Sequence, residues 1–388
     1  MKIALVHSFY KSAVPSGENF AVEMQSSALR EAGHDVRVIS LRTDDLRDDP
    51  LYEIRTALTV ATGRGRSPLA QLRQFGPDVV HVHNLVPNFS TSWLSEWRGP
   101  IVATMHNFRP LCAKGFLFRD GQECTLCPRL GHHHAVIHRC YRDSRAATLP
   151  LALANRRGLS ENPVVVRADR LLLLSGRARD TYESFGVAPD KMAVVPNFIE
   201  DRIPDASPPS ALGSWLYAGR LSPEKGVLDL LKTFPENEQL TIAGSGPQAA
   251  EVQDLAERSP NVRFLGHIER DELLRLLPSA HGLVLPSLWA EGLPTIYLES
   301  LAAGLPVVCR QGNSAADDIR RWGPELVYSS KPELKEALSH ARSVSSTWES
   351  RARAHYSENY TQQAWTRHVL EIYDQVIGHA APRTKAAR

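Results

Sequence analysis

The chain has 388 residues and a formal net charge of only +2 at neutral pH. One hydrophobic core rarely serves so long a chain, so the length predicts two domains. The charge lacks the basic excess of nucleic-acid-binding proteins, so we expect no nucleic-acid partner. No apolar run of about 18 residues occurs, which argues against a transmembrane helix.

The first half alternates apolar runs with helical stretches, the pattern of an α/β fold whose parallel sheet is covered on both faces. It opens on a strand at residues 3–7 with no apolar leader, so we expect a cytoplasmic protein whose five cysteines stay reduced. A helix follows at 18–32, closed by Gly33. Further strands are predicted at 36–39, 78–83, 101–104, 171–174 and 193–195. A first domain is predicted over residues 1–200.

His106 and Gly17 are the candidate site residues of this half. His106 follows the strand at 101–104, and ligands of open α/β sheets bind at the carboxyl ends of strands. It could hydrogen-bond a ligand hydroxyl or polarise a reacting centre, or simply be tied to a neighbouring carbonyl. Gly17 lies in the flexible turn at 15–18, at the start of a helix. His81 and His83 lie within an apolar strand, where packing is the simpler interpretation.

A polar insertion at residues 109–142 carries four cysteines, Cys112, Cys124, Cys127 and Cys140. The C-x2-C pair supplies two thiolates from one turn, and four thiolates fit a closed structural zinc site. The insertion is too polar to build its own core, so a metal would help to order it. Free buried thiols are the alternative. Cys309 lies in an apolar run and is predicted to pack in a core.

An apolar stretch at 146–154 is surrounded by arginines, namely Arg139, Arg142, Arg145, Arg156 and Arg157. A basic amphipathic helix of this kind could rest on an anionic membrane, as a peripheral contact on its inner face, or meet an anionic acceptor. A helix with a solvated arginine face is the simpler interpretation.

Proline-rich residues 196–209 predict a linker to a second domain over 210–356. A last amphipathic helix is predicted at 362–377, and residues 380–388 read as a frayed basic tail. The second domain begins with a strand that ends in Gly219 and Arg220, and Lys225 follows across one loop. Two cations at a strand end suit a diphosphate, whereas a surface ion pair with Glu224 is the alternative.

The segment from Gly244 to Ala249 matches a loose dinucleotide-binding fingerprint, so a dehydrogenase has to be weighed. Such an enzyme needs an acidic residue about 20 positions on, at the end of the next strand. Here the next strand, at 261–266, is followed by His267. The fingerprint therefore favours a dehydrogenase only weakly.

Glu291 and Glu299 flank the start of a helix that Gly292 and Pro294 mark. A helix entrance offers backbone N–H groups to an anion. Glu299 lies among apolar residues, where a carboxylate needs a hydrogen-bonding partner such as a sugar diol. A pair of solvated helix-start glutamates is the alternative.

Gly219-Arg220, Glu224-Lys225-Gly226, the run at 242–247 and Glu291-x7-Glu299, in this order and spacing, resemble the donor half of glycosyltransferase family 4. The resemblance implies two facing Rossmann-like domains of the GT-B type with a cleft between them. The region 357–388 would then cross back to the N-terminal acceptor domain. It also implies transfer of a sugar from a nucleoside diphosphate with retention of anomeric configuration.

The resemblance assigns roles to the candidate residues. Arg220 and Lys225 would neutralise the diphosphate leaving group, so that catalysis needs no divalent metal. Glu291 would bind the donor-sugar hydroxyls and Glu299 the ribose hydroxyls, with a uridine diphosphate sugar as the default donor. The remaining donor-binding residues would be Gly17, Gly219, Gly292, Leu293, Pro294 and Thr295.

The acceptor would enter near Gly17 and His106, and could be a glycan, a lipid-linked sugar or a small molecule. Assembly of a cell-surface glycan or an exopolysaccharide is the natural pathway. An epimerase or phosphorylase of the same architecture, or a non-catalytic protein that binds sugar nucleotides, remains an alternative.

Overall fold

The computed structural model describes residues 1–13, 16–202, 213–289, 292–343 and 345–380. The chain divides into two compact units. The first comprises residues 1–117 and 124–195 together with the chain from Thr366 onward, and the second comprises 118–123 and 196–365. Part of the predicted linker, residues 203–209, and the predicted tail from 381 lie outside the described residues.

The first unit is built on a six-stranded sheet whose strands all run parallel. Apolar residues fill its centre, where every residue from Ile3 to Phe9 is buried. The strands up to residue 194 are β1 (Lys2–Phe9), β2 (Asp35–Arg42), β3 (Val79–Val82), β4 (Ile101–Met105), β5 (Phe118–Arg119), β6 (Gln122–Glu123), β7 (Arg170–Leu173) and β8 (Met192–Val194). The short strands β5 and β6 are outside this sheet and are grouped with the second unit. The sheet order is β2-β1-β3-β4-β7-β8, with β5 and β6 forming a hairpin.

Helices connect these strands as parallel pairing requires. The helices of residues 17–184 are α1 (Gly17–Glu31), α2 (Thr43–Leu46), α3 (Tyr52–Thr62), α4 (Leu69–Phe75), α5 (Trp93–Glu96), α6 (Leu126–Leu130), α7 (His133–Ile137), α8 (Arg145–Ala154), α9 (Pro163–Arg167) and α10 (Gly176–Ser184). The Ser16 hydroxyl caps α1 by accepting a hydrogen bond from the Asn19 N–H, which explains why the helix begins there.

The second unit repeats this plan with another parallel sheet, in the order β11-β10-β9-β12-β13-β14. Its strands are β9 (Trp215–Ala218), β10 (Leu240–Ala243), β11 (Val262–Gly266), β12 (Gly282–Leu285), β13 (Val307–Arg310) and β14 (Val327–Tyr328). Its helices are α11 (Val227–Thr233), α12 (Ala249–Glu257), α13 (Arg270–Leu276), α14 (Thr295–Ala302), α15 (Ser314–Ile319), α16 (Lys331–Ser343) and α17 (Ser345–Asn359), followed by α18 (Gln362–Ala380).

Both units have the parallel α/β architecture that the sequence predicted. Cys309 is buried in the core of the second unit, opposite Leu285 of the neighbouring strand β12. Within the described residues, no helix combines the length and apolar character needed to cross a membrane.

Candidate active site

Three loops interlock at the carboxyl edge of the second sheet, where β9, β10 and β12 end. The Leu221 N–H donates to the Ser245 carbonyl oxygen at 2.8 Å, and the Gln248 N–H donates to the Leu221 carbonyl at 3.0 Å. The Leu288 N–H donates to the Glu224 carbonyl at 2.9 Å. These bonds fix the loop that carries the predicted cations.

Glycines make this close packing of backbones possible. A Cβ on Gly244 would lie 1.9 Å from the Gly219 carbonyl oxygen, and one on Gly246 would lie 2.3 Å from that of Leu221. Gly226 has a φ of +70°, and a Cβ there would lie 2.3 Å from the Pro286 carbonyl oxygen. The glycines of the apparent dinucleotide fingerprint therefore have a packing reason that is independent of any dinucleotide.

Arg220 and Lys225 both lie on this fixed loop. Arg220 is exposed and Lys225 is half-buried. The Lys225 ammonium lies 5.9 Å from the centre of the Trp289 ring, a cation–π distance. Glu224, the alternative ion-pair partner, accepts a hydrogen bond from the Ser222 hydroxyl at 2.7 Å. The loop can thus present two cations to an anion.

Glu299 is a buried carboxylate inside α14, with only 4% of its surface exposed. The Arg270 guanidinium Nη2 lies 2.6 Å from the Glu299 Oε1. Burial raises the pKa of Glu299 above its usual value, and Arg270 opposes that rise. Gly292, Leu293, Pro294 and Thr295 lie at the start of the same helix, where Pro294 is the N-cap rather than the first helical residue. Glu291 lies outside the described residues.

Asp318 in α15 anchors the helix that carries Glu299. Its Oδ2 accepts hydrogen bonds from the hydroxyls of Tyr297 at 2.6 Å and Tyr360 at 2.7 Å, and lies 2.7 Å from the His355 Nε2. Burial alone would raise the pKa of Asp318, but His355 and the two tyrosines outweigh it and hold that pKa below its usual value. Tyr297 lies on the same helix as Glu299, so this network holds the helix that carries the carboxylate.

His106 lies at the carboxyl edge of the first sheet, just past β4. Its Nε2 is 2.9 Å from the Nδ1 of His83, which just follows β3. Burial lowers the pKa of both rings, so both are neutral near pH 7. His81 is buried with both ring nitrogens bonded, to Thr104 and Tyr373, in agreement with the packing interpretation.

Gly17 is the first residue of α1, and a Cβ there would meet no atom within 4 Å. Beside it, the Glu18 carboxylate accepts a hydrogen bond from the side-chain amide of Asn107. Because Asn107 follows His106, this bond ties the α1 start to the end of β4. The backbone at Gly17 is open to an approaching ligand.

A pocket of about 350 Å³ opens in the first unit beside these residues. Its lining includes residues of the three helices α3, α8 and α9. The polar groups in the lining are the two histidine rings together with amide and guanidinium groups, among them His83, Asn84, His106, Asn107, Arg109 and Asn155. Hydrogen-bonding groups of this kind, set in a partly apolar wall, suit a polyhydroxylated ligand.

Two family models match the chain. One, described as glycosyl transferases group 1, matches residues 211–360, and one described as glycosyltransferase family 4 matches residues 17–202. The two matches together span most of the sequence. The chain belongs to glycosyltransferase family 4. It is accordingly an enzyme that transfers sugars, and the dehydrogenase interpretation falls away.

The proteins to which the chain is similar support this family assignment. Glycogen synthase of Mycobacterium tuberculosis is 28% identical over 79% of this chain and 77% of its own length. Phosphatidyl-myo-inositol mannosyltransferase of Mycolicibacterium smegmatis is 25% identical over 83% of this chain and 78% of its own. The structure of HepE from Anabaena in complex with UDP has a TM-score of 0.63 at 15% identity, over 97% of this chain and 100% of HepE. The structural likeness confirms the predicted GT-B fold.

The cysteines of this glycosyltransferase do not confirm the predicted zinc site. Cys127 packs with Ala113, Ala135 and Leu151 in a small cluster that Cys140 also contacts. Burial and the nearby thiols of Cys112, Cys140 and Cys124 raise the pKa of Cys127 to about 12. Among the described residues, however, no three or more His, Cys, Asp or Glu side chains are arranged to hold a metal ion. None of these four cysteines forms a disulfide bond.

Sequence reasoning missed Arg270 and the pairing of His83 with His106. Arg270 is the first residue of α13, directly past β11, so its position beyond a strand end was the available signal. His83 follows β3 in the same way. In both cases the partner is distant in the sequence, and only the assembled sheet brings the two together.

Proposed function

We propose that the protein is a retaining glycosyltransferase that uses a nucleoside-diphosphate sugar. The observation that carries this proposal is the edge of the second sheet, where a glycine-fixed loop presents Arg220 and Lys225 and a buried carboxylate, Glu299, is held by Arg270. A paired cation loop suits a diphosphate, and an oriented carboxylate suits the two hydroxyls of a ribose.

The cations act on the leaving group. As the bond between the sugar and the diphosphate breaks, negative charge develops on the diphosphate, and fixed cations stabilise it. Catalysis by this route needs no divalent metal. Glu291 is the candidate for the donor-sugar hydroxyls, and the backbone of Gly219 and of Gly292 to Thr295 is the candidate for contacts with sugar and phosphate.

The acceptor side is proposed to be the pocket of the first unit, with Gly17 and His106 at its edge. Because the His106 Nε2 is bonded to His83, a neutral His106 offers its Nδ1 to an acceptor hydroxyl, as donor or acceptor according to the tautomer. The names of the similar proteins include both a polysaccharide, glycogen, and a lipid, phosphatidyl-myo-inositol. We propose assembly of a cell-surface glycan or exopolysaccharide as the pathway.

Calorimetry with uridine, guanosine and adenosine diphosphates tests the donor site. We expect one nucleotide to bind, and Glu299→Gln to weaken it by about tenfold or more, since a hydrogen bond to a charged group is lost. Glu269→Gln, an exposed glutamate next to Arg270, is the matched control. Uridine diphosphate is the default because HepE was crystallised with UDP. Binding of none of the three would overturn the proposal.

Turnover tests the chemistry. Arg220→Ala or Lys225→Ala is expected to lower kcat by about 10²-fold, the usual cost of removing one preorganised charge contact. Product NMR should show the anomeric configuration of the donor. Release of an epimerised nucleotide sugar, or a requirement for free phosphate, would favour the epimerase or phosphorylase instead. Donor binding without any release of nucleoside diphosphate would favour the non-catalytic alternative.

A further inference from the structure

Large exposed hydrophobic side chains are confined to one part of the described chain. All of them lie between residues 20 and 166, in the first unit, and they are Phe20, Leu51, Ile54, Leu58, Leu130, Ile137, Leu149, Leu153 and Val166. Single exposed apolar residues are normal on a protein surface, whereas a clustered set marks an interaction site.

Helix α3 carries three of these residues as one stripe. Leu51, Ile54 and Leu58 are spaced i, i+3 and i+7, which places them on one face of the helix, and they are 49%, 60% and 58% exposed. The opposite side of the helix contributes Val60 to the lining of the pocket. Helix α3 therefore has apolar groups on its solvent side and pocket groups on its inner side.

Helix α8 packs directly against α3 and has the same two-sided character. Its exposed stripe runs Arg145, Leu149, Leu153 and then Arg156 just past its end, with spacing i, i+4, i+8 and i+11. Leu149 and Leu153 are 47% and 38% exposed, and buried Leu151 lines the pocket. Helix α7, which also packs on α8, adds exposed Ile137.

The charged residues around this surface are almost all basic. Residues 128–160 contain six arginines and a single acidic residue, Asp143, although the whole chain carries a net charge of only +2. Arg139, Arg142, Arg145 and Arg156 are all exposed. Apolar side chains bordered by arginines are the chemistry by which a protein rests on an anionic bilayer, with the apolar groups below the headgroups and the cations among them.

We propose that the exposed sides of α3, α7 and α8 form a docking face for an anionic lipid bilayer, and that the acceptor of the pocket behind them is lipid-linked. The second half of this statement rests on the proposed function, because it names the acceptor class of that pocket. Helices that face the bilayer and also line the pocket would hold the pocket next to the lipid headgroups.

Co-sedimentation of the full chain with vesicles tests the docking face. We expect binding to vesicles of phosphatidylcholine mixed with phosphatidylglycerol and little binding to phosphatidylcholine alone. Binding is expected to fall as salt is raised, because salt screens the arginines. Failure to bind the anionic vesicles, or equal binding to both kinds, would overturn the proposal.

Matched variants separate the docking face from the rest of the surface. The pair Ile54→Ser and Leu149→Ser, and the pair Arg142→Gln and Arg145→Gln, are each expected to weaken vesicle binding by about tenfold. Phe20→Ser is the apolar control, and Arg258→Gln with Arg320→Gln, in the second unit, is the charge control; neither is expected to change vesicle binding. Equal binding by all variants would contradict the proposal.

A protein partner is the competing occupant, and the same variants distinguish it. Analytical ultracentrifugation that shows a dimer dispersed by Ile54→Ser and Leu149→Ser, in a protein that does not bind vesicles, would assign the face to a second copy and overturn the bilayer proposal. Vesicle binding is read without donor or acceptor. Its failure therefore leaves the sugar-transfer proposal intact, and a failure to bind nucleotides leaves the docking face intact.

Discussion

Gly17 and Gly244 both lie where the chain passes from a strand to a helix, but their surroundings in the structure differ. Gly244 has a φ of +152°, and a Cβ there would collide with the Gly219 carbonyl. A Cβ at position 17 would lie in open space, so the fold of the protein does not require a glycine there. The proposed ligand site would supply a reason for glycine at position 17, because a glycine lets a ligand approach the backbone closely.

Alanine substitutions at the two positions are expected to separate stability from activity. Gly244→Ala is expected to lower the free energy of unfolding by on the order of 3 kcal/mol, from backbone strain and overlap. Gly17→Ala is expected to leave that free energy unchanged or raise it by up to about 1 kcal/mol, while turnover falls. Urea unfolding and a transfer assay measure the two effects. Full activity of Gly17→Ala would remove Gly17 from the ligand site.

Arg270 is expected to make nucleotide binding independent of pH near neutrality. In Arg270→Gln the cation opposite Glu299 is gone, so burial is expected to raise the pKa of Glu299 further. Nucleotide affinity that needs the carboxylate would then begin to fall at a higher pH in the variant than in the native protein as the pH is lowered. Calorimetry at a series of pH values, with Arg275→Gln as a control on the same helix, measures it. A flat profile in Arg270→Gln would contradict this role.

Strands and site residues were predictable to different degrees. The strands at 101–104 and 215–218 could be predicted because buried parallel strands are continuous apolar runs. Helix α3 was not, because none of its residues is fully buried and its apolar stripe faces solvent instead of a core. Gly219, Arg220, Lys225 and Glu299 were proposed as site residues from local motifs and a family resemblance, and their roles remain predictions.

Contacts between distant residues could not be predicted in the same way. Arg270 reaches Glu299 only because α13 and α14 end up beside each other at one sheet edge. The zinc interpretation depended on the spacing of the cysteines in the sequence. That spacing gives the number of thiols in the insertion, but it does not give their positions relative to one another in the folded chain.

At the scale of elements, Asp318 joins α14, α15, α17 and the turn before α18. Asp318→Asn is expected to lower the free energy of unfolding by about 1–3 kcal/mol, because charged hydrogen bonds are lost. The pKa of Asp318 is depressed in the folded state, so its stabilisation is present above its usual value of 3.8 and is lost as the pH falls through the folded value.

Urea unfolding at about pH 7 and about pH 3 measures this contribution. The variant is expected to lose less stability on acidification than the native protein. Asp254→Asn, an exposed carboxylate paired with Arg258, serves as the control and is expected to behave like the native protein. An equal loss in the native protein and Asp318→Asn would contradict the assigned network.

At the scale of the whole molecule, the two units are expected to differ in their response to acid. Burial lowers the pKa of His7 to about 4 and that of His81 to about 3, and it also lowers the pKa values of His83 and His106. Below about pH 6.5 the histidines of the unfolded chain bind protons, whereas these rings in the folded chain do not. The free energy of unfolding of the first unit is therefore expected to fall as the pH drops, by about 1.4 kcal/mol for each unit by which folding lowers the pKa of one ring.

Hydrogen exchange followed by mass spectrometry at about pH 7 and about pH 5 can resolve this difference. After correction for intrinsic exchange, peptides from β1 and β3 are expected to lose protection at the lower pH, while peptides from β9 and β10 keep theirs. Earlier loss in β9 and β10 would contradict the prediction.

Helix α18 has a consequence for the order in which the protein can be completed during synthesis. Tyr373 supplies the hydroxyl that bonds the buried ring of His81, and the two residues are 292 positions apart. A ribosome therefore makes the entire second unit before it delivers a side chain that the first unit needs in its interior. Until then, the nascent sheet contains a polar ring nitrogen without its hydrogen-bond partner. The amino-terminal half is therefore incompletely folded until synthesis ends, although its strands emerge early, and a chaperone would bind it in that state.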